Sequence, residues 1–214
     1  MSIVFYWYPQ SSASPIAAAL AELQVPHERV KVDIRAGEQH RPEFLAINPN
    51  GKVPTLTVDG APLFEGLAIQ LWLGEQWGVE RGLWPAAGTP QRLAAMSWSA
   101  WAYVSYGAVL WRLFHVGYGE EGQRDPSQAE RALADLDVLL AVLDGHLARQ
   151  PWILGAEYSL ADLVVGSVIG YSTMLGARVA AHPKGQAWLG KGQAPPAMQI
   201  DRRGGVAAPA PTSP

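Results

Sequence analysis

Residues 46–56 read Ala-Ile-Asn-Pro-Asn-Gly-Lys-Val-Pro-Thr-Leu, and this stretch decides how the first part of the chain folds. Its first proline fixes φ, and the Asn-Gly pair that follows tolerates positive φ, so the pattern predicts a tight turn. An apolar strand over residues 53–58 follows, with Pro54 just inside it, where a proline cannot donate to a sheet ladder. A strand entry of this kind accommodates a cis peptide bond.

A cis bond before Pro54 would leave the backbone N–H and C=O of Val53 facing outward. Those groups would then be free to pair with a peptide-like ligand. The alternative is a bent strand edge that binds nothing. For an isolated Val-Pro pair the bent edge is the commoner case, so the choice depends on the surrounding chain.

The residues before this stretch predict a β-α-β unit. Residues 2–8 are β-branched and aromatic and are typical of a buried strand. Ser14 as N-cap and Pro15 at the first helical position begin a helix. Residues 29–34 then alternate as a second strand. Because a helix joins the two strands, we expect them to be parallel.

The residues after this stretch predict a hairpin and a helix. The Asp-Gly pair at residues 59–60 is a strong hairpin signal, so the strands on either side of it should be antiparallel. Residues 65–76 carry a helical apolar stripe. The resulting order, β-α-β, an irregular helix and then β-β-α, is that of a thioredoxin-like α/β domain, which we place at residues 1–78.

The remaining chain is predicted to be helical. Residues 79–88 are rich in glycine and proline and indicate a linker. An all-α bundle domain is expected over residues 89–202. Residues 203–214 are of low complexity, which predicts a disordered tail.

Three features define the helices of this second domain. Residues 89–115 predict one long helix that Thr-Pro begins. Residues 127–130 and 159–162 each have the Ser-x-x-acid pattern of a capping box. The helix after the second box is apolar nearly all round, so it should form the buried centre of the domain. One or two short helices are expected within residues 182–202.

Composition excludes several classes of function. The chain has 214 residues, 49% of them hydrophobic, a net charge of −3 and no basic stripe, so nucleic acid is not an expected partner. It has no cysteine, which excludes disulfides, zinc-thiolate sites and a cysteine nucleophile; any thiol must arrive with a ligand. There is no run of 18 apolar residues and no signal peptide pattern. We therefore expect a soluble cytoplasmic protein that does not associate with membranes.

Taken together, these features resemble the cytosolic glutathione transferase family, nearest to its bacterial serine-type or theta-like members. The resemblance covers roughly residues 1–200. Four motifs carry it, in the right order and at the right spacing: the turn and strand of residues 48–56, Asp-Gly at 59–60, Leu-Phe-Glu-Gly-Leu-Ala-Ile at 63–69 and Tyr-Ser-Leu-Ala-Asp at 158–162.

The resemblance implies a cis Val53–Pro54 bond, with the Val53 backbone pairing with the cysteinyl part of glutathione. It also implies that Glu65 and Gly66 hold the γ-glutamyl end, at a helix N-terminus that favours a carboxylate. The family usually has serine where this chain has Gly66. The change removes one hydroxyl donor to a charged group, worth about 1.5–3 kcal/mol, or roughly tenfold to a hundredfold in affinity.

Other implied contacts have structural alternatives. Gln39 or His40 would reach the glycine carboxylate of glutathione, and Lys52 would assist by charge; otherwise these are solvated or turn residues. Tyr103, Tyr106 and Trp111 would line the site for the electrophile, and otherwise belong to the core or to a dimer interface.

In this family a hydroxyl after the first strand donates to the glutathione sulfur and stabilises the thiolate. An unperturbed thiol has a pKa of about 8.5, so lowering it makes the thiolate dominant near neutral pH. Trp7 occupies the position of the tyrosine in tyrosine-type members. Ser11 aligns with the serine of serine-type members, and Ser12 with the cysteine of a bacterial subgroup. Ser11 and Ser12 are therefore the predicted catalytic residues, and Ser14 is assigned to the helix cap.

The function expected from the resemblance is conjugation of glutathione, as co-substrate, to a small hydrophobic electrophile by a homodimer. No metal and no other cofactor is expected. One alternative is another glutathione-dependent reaction on the same scaffold, by an isomerase, dehalogenase or peroxidase. A second is a non-catalytic binding or regulatory protein with an eroded glutathione site.

Overall fold

The structure, a computed structural model, describes residues 1–192. The predicted tail at residues 203–214 and the last part of the predicted helical domain lie outside the described residues. Within residues 1–192, no helix has both the length and the apolar character needed to cross a membrane.

A four-stranded sheet with the order β2-β1-β3-β4 forms the centre of the first half. β1 and β2 are parallel, and β3 is antiparallel to both β1 and β4, which confirms the predicted β-α-β unit and hairpin. Phe5 pairs with Leu56 across β1 and β3, and neither side chain is exposed. The strands are β1 Ile3–Trp7, β2 Glu28–Lys31, β3 Thr55–Val58 and β4 Ala61–Phe64.

Three helices pack around this sheet, which makes the domain thioredoxin-like as predicted. They are α1 Ser14–Glu22, α2 Pro42–Leu45 and α3 Gly66–Leu73, with a 3-10 turn at Glu38–His40. The prediction that Ser14 caps α1 is wrong, because Ser14 is the first helical residue and Ala13 is the N-cap. A turn precedes the helix. In this turn the Ser11 side chain accepts the Ala13 N–H, and the Ser11 carbonyl accepts the Ser14 N–H.

The helix after β4 is shorter than the predicted 65–76. α3 ends at Leu73 and continues as a π-helical turn, Gly74–Gly78. Trp84, only 2% exposed, packs on both glycines of this turn. A Cβ on Gly74 or Gly78 would lie 2.7 or 2.6 Å from Trp84 atoms, so only glycine leaves room for the indole.

The second half is a helical bundle. The predicted long helix is present, but a π-helical segment, Trp101–Tyr106, interrupts it. Nine of the 15 residues of α7 are buried, which confirms the predicted central helix. The helices are α4 Pro90–Ala100, α5 Gly107–Tyr118, α6 Pro126–Leu147, α7 Leu160–Met174 and α8 Pro183–Gly192.

The two predicted capping boxes have different outcomes. The box at Ser159–Asp162 is confirmed, since each side chain bonds the backbone N–H of the other residue. The box at residues 127–130 is wrong, because α6 begins earlier at Pro126 and Asp125 is its cap. The Asp125 carboxylate accepts the N–H of Gln128 at 3.1 Å. An aspartate directly before a proline caps a helix at least as well as the serine that follows.

One buried apolar cluster runs through both halves of the chain. A polar contact crosses between them, where Gln70 on α3 donates to the Ser99 hydroxyl on α4 at 3.0 Å. This contact holds α3 directly against the long helical run of the bundle, and the junction positions the candidate site.

Candidate active site

Asn48 organises the turn within residues 46–56. It is 2% exposed, and its amide donates to the Lys52 carbonyl at 2.8 Å and to the Thr55 hydroxyl at 2.9 Å. Its side-chain oxygen accepts the N–H of Asn50 at 3.0 Å. Asn48 is not among the predicted site residues, although an asparagine at the start of a turn commonly bonds the backbone two residues on.

The turn brings together the residues predicted to bind the glycine end of glutathione. Gly51 has φ +59°, and a Cβ there would lie 3.0 Å from His40 Nδ1 and 3.1 Å from the Gln39 carbonyl. Gln39 donates its side-chain amide to the Ile34 carbonyl at 3.2 Å, and its buried Oε1 has no hydrogen-bond partner within residues 1–192. Gln39 and His40 therefore lie beside Gly51 and its neighbour Lys52.

The Val53–Pro54 peptide bond is cis, as expected. The loop after β1 lies directly against it, because the Ser12 hydroxyl donates to the Val53 carbonyl at 2.6 Å. Ser12 is exposed. One of the two predicted catalytic hydroxyls therefore lies at the backbone edge predicted to hold the cysteinyl part of a ligand.

Ser11, the other predicted catalytic residue, is used within its own turn. Its hydroxyl donates to the Tyr8 carbonyl at 2.7 Å and accepts the Ala13 N–H at 3.1 Å. A hydroxyl has a single proton, so Ser11 can donate to a ligand only by releasing Tyr8. The Ser12 hydroxyl must likewise release the Val53 carbonyl, but it already lies at the predicted ligand edge, and this position favours Ser12 over Ser11.

Glu65 and Gly66 lie at the N-terminus of α3, where the first N–H groups of a helix lack intrahelical partners. Glu65 is exposed with φ +70°, and Asn50 donates to its carboxylate at 3.5 Å. The ring of Tyr103 covers Gly66, and a Cβ on Gly66 would lie 2.8 Å from Cε1 and 3.1 Å from the hydroxyl oxygen of Tyr103. Tyr103 therefore occupies the space that a side chain on residue 66 would fill.

Trp111 faces the turn from the second domain. Its side chain is 56% exposed, and the Lys52 ammonium lies 5.9 Å from its ring centroid. Phe114 stacks on the same indole and His115 contacts it edge-on, at centroid distances of 5.7 and 4.4 Å. Lys52, which is predicted to contact glutathione, and Trp111, which is predicted to line the electrophile site, are therefore neighbours.

Tyr106 must be removed from the predicted electrophile site. It is 0% exposed and pairs with the Ser172 hydroxyl at 2.7 Å. Ser172 donates its own proton to the Ile169 carbonyl, so the Tyr106 hydroxyl is the donor. Burial raises the pKa of Tyr106 to about 12. This tyrosine is a core residue that ties the π-helical segment to α7.

Metal binding has no support in the described chain. Within residues 1–192, no group of three or more histidine, aspartate or glutamate side chains could hold a metal ion.

Comparison with known proteins identifies the family. Residues 1–75 match the glutathione S-transferase N-terminal domain, and residues 106–191 match the C-terminal domain. The chain is 31% identical to the disulfide-bond oxidoreductase YfcG of Escherichia coli (strain K12) over 87% of both chains. It is 30% identical to the glutathione S-transferase GstB of the same strain, over 83% of this chain and 86% of the relative.

A solved relative has the same architecture. The sphingomonad glutathione S-transferase, complexed with glutathione, is 29% identical to this chain and superposes with a TM-score of 0.79. The superposition covers 91% of this chain and 94% of the relative. The order of elements, the two domain matches and these relatives agree, and the chain belongs to the glutathione S-transferase family.

Proposed function

We propose that this protein is a glutathione transferase that conjugates glutathione to a small hydrophobic electrophile. The observation that carries the proposal is the Ser12 hydroxyl, 2.6 Å from the Val53 carbonyl. It places a donor on the backbone edge that would pair with the cysteinyl residue of glutathione. The site also lies beside the N-terminus of α1, whose dipole favours an anion.

In this mechanism the cysteinyl N–H of glutathione replaces the Ser12 hydroxyl as the donor to the Val53 carbonyl. The Ser12 hydroxyl then turns and donates to the sulfur. The hydrogen bond lowers the thiol pKa, and the proton leaves to solvent. The thiolate then attacks the electrophilic carbon. With an aromatic halide, a carbon–sulfur bond forms, the carbon–halogen bond breaks and halide departs.

The remaining contacts of glutathione follow from the same arrangement. Its γ-glutamyl end would lie at Glu65 and Gly66, and its glycine carboxylate beside Gln39, His40 and Lys52. The exposed indole of Trp111, next to Lys52, offers a flat apolar surface for the electrophile.

A second candidate is reduction of a small disulfide, because a relative at 31% identity is a disulfide-bond oxidoreductase. This chain has no cysteine, so both reducing thiols would come from glutathione. Two molecules of glutathione would then be oxidised to glutathione disulfide, and the substrate disulfide would be reduced to two thiols. The same Ser12-stabilised thiolate would begin this exchange.

Glutathione binding and turnover test these proposals. Free glutathione at a hundred times its Kd should stabilise the fold by about 2.7 kcal/mol, which raises Tm by roughly 5–10 °C. S-methylglutathione, which lacks a free thiol, should stabilise the fold but support no turnover. Conjugation of an aromatic halide supports the leading function, and reduction of a small disulfide instead supports the second.

Two other outcomes would contradict an enzymatic function. Stabilisation without either activity would favour a non-catalytic binding protein. No stabilisation by millimolar glutathione, together with no retention on glutathione resin, would overturn both enzymatic functions and favour a non-catalytic protein with an eroded glutathione site.

We also propose a homodimer located in the cytoplasm, as the family resemblance implies. Large apolar side chains are exposed on several helices of the second domain, on α4 and the π-helical segment (Leu93, Met96, Val104) and on α6 (Val138, Val142). A two-fold dimer would bury surface of this kind. Light scattering should therefore give twice the chain mass of 23.1 kDa, and a 23.1 kDa species would contradict the dimer.

A further inference from the structure

The hydroxyl of Tyr103 is buried and has no hydrogen-bond partner within residues 1–192. Tyr103 belongs to the second domain, in the π-helical segment between α4 and α5. Its ring nevertheless reaches the first domain and covers Gly66 at the start of α3. A buried hydroxyl without an acceptor lowers stability, whereas an acceptor brought by a ligand would satisfy it.

The surroundings of this hydroxyl favour an anionic acceptor. The first N–H groups of α3 have no intrahelical partners, and the helix dipole makes this end positive. Burial raises the pKa of Tyr103 well above its ordinary value, so the hydroxyl keeps its proton at neutral pH and remains a donor. A neutral donor therefore lies at a helix end that attracts carboxylates.

The distances allow one oxygen atom to meet both donors. The hydroxyl oxygen lies 3.1 Å from the position of a Cβ on Gly66. Because a Cβ is about 2.5 Å from its own amide nitrogen, the hydroxyl is within about 5.5 Å of the Gly66 nitrogen. Two hydrogen bonds of ordinary length span about that distance. Because the hydroxyl is buried, a small shift of the phenol would let one carboxylate oxygen bridge the Gly66 N–H and the Tyr103 O–H.

We propose that Tyr103 donates its hydroxyl proton to the carboxylate that binds at the N-terminus of α3, in place of a side chain on residue 66. The inference rests on the proposed function in one respect, which is that the carboxylate is the γ-glutamyl α-carboxylate of glutathione. The helical domain then supplies a contact to the half of glutathione that the thioredoxin-like domain otherwise binds. Gly66 is required in this arrangement, because a side chain there would displace the phenol.

Tyr103→Phe tests the contact, since it removes the hydroxyl and keeps the ring on Gly66. Glutathione affinity, measured by calorimetry, should fall roughly tenfold to a hundredfold. The Tm of the unliganded protein should stay the same or rise, because the lost hydroxyl had no partner. The affinity for 4-aminobutyryl-Cys-Gly, which is glutathione without its γ-glutamyl α-carboxylate, should be equal for the wild type and the variant.

Tyr106→Phe is the matched control. Tyr106 lies in the same π-helical segment, and its hydroxyl already pairs with Ser172. This variant should lose about 2–4 °C in Tm, the effect of one lost hydrogen bond in a chain of this size. Its glutathione affinity should be that of the wild type.

Three outcomes would overturn the inference, and they differ from failure of the proposed function. Unchanged glutathione affinity in Tyr103→Phe would show that the hydroxyl does not contact the ligand. An equal loss with the analogue would show that it does not contact this carboxylate. A fall in Tm matching that of Tyr106→Phe would indicate a structural role. If the wild type itself does not bind glutathione, the proposed function fails as well.

Discussion

Asp162→Ala should lower the free energy of unfolding by about 3–5 kcal/mol, the loss typical of breaking a buried charged network. The Asp162 side chain is 3% exposed. It accepts the Ile153 N–H at 2.7 Å, the Ser159 N–H at 3.0 Å and hydroxyl at 2.8 Å, and the Trp188 indole N–H at 2.8 Å. Alanine would leave all of these donors buried without an acceptor.

Urea denaturation followed by tryptophan fluorescence measures this loss. Asp144→Ala is the matched control, because Asp144 also caps a helix but is half-buried and accepts only the N–H groups of Lys184 and Gly185. Its substitution should cost about 0.5–2 kcal/mol, the usual range for a lost cap. Equal losses in the two variants would show that the Asp162 network contributes no more than an ordinary helix cap.

Ser12→Ala should reduce turnover with an aromatic halide roughly tenfold to a hundredfold at pH 7, because a donor to the thiolate is lost. The pKa of the bound thiol should rise toward the free value of about 8.5, which leaves only a few per cent thiolate at pH 7. The pH dependence of kcat measures this pKa. The difference in turnover between the wild type and the variant should become smaller above about pH 9, where the thiol ionises without a hydrogen-bond donor.

Ser11→Ala is the control for this experiment. Ser11 makes its two hydrogen bonds within the loop, to Tyr8 and Ala13, so its loss should lower stability and leave the thiol pKa unchanged. A raised thiol pKa in Ser11→Ala, with none in Ser12→Ala, would transfer the proposed role to Ser11.

Much of the fold could be predicted because its signals are local. Strand composition, the Asp-Gly pair at 59–60 and the proline-rich turn each determine the structure of a few adjacent residues. The Ser159–Asp162 capping box is local in the same way. The two wrong helix caps were local as well, since at Asp125 and Ala13 a neighbouring residue formed the cap instead of the expected serine.

The roles proposed for the site residues depend on contacts between residues far apart in the sequence, which spacing along the chain does not predict. Ser12 and Val53 are 41 residues apart, and only their 2.6 Å hydrogen bond separates Ser12 from Ser11 as the candidate donor. Tyr103 and Tyr106 lie in the same predicted helix, yet Tyr106 contacts α7 and Tyr103 covers Gly66.

The sequence by itself predicted the thioredoxin-like order of elements, because that order follows from short-range backbone preferences. It predicted the family and the cis Val53–Pro54 bond through the resemblance of its motifs. The tertiary structure alone decided that the glycine at position 66 makes room for Tyr103. The sequence shows that residue 66 is a glycine where the motif of the family it resembles has a serine. Only the packing of two domains shows which side chain occupies its place.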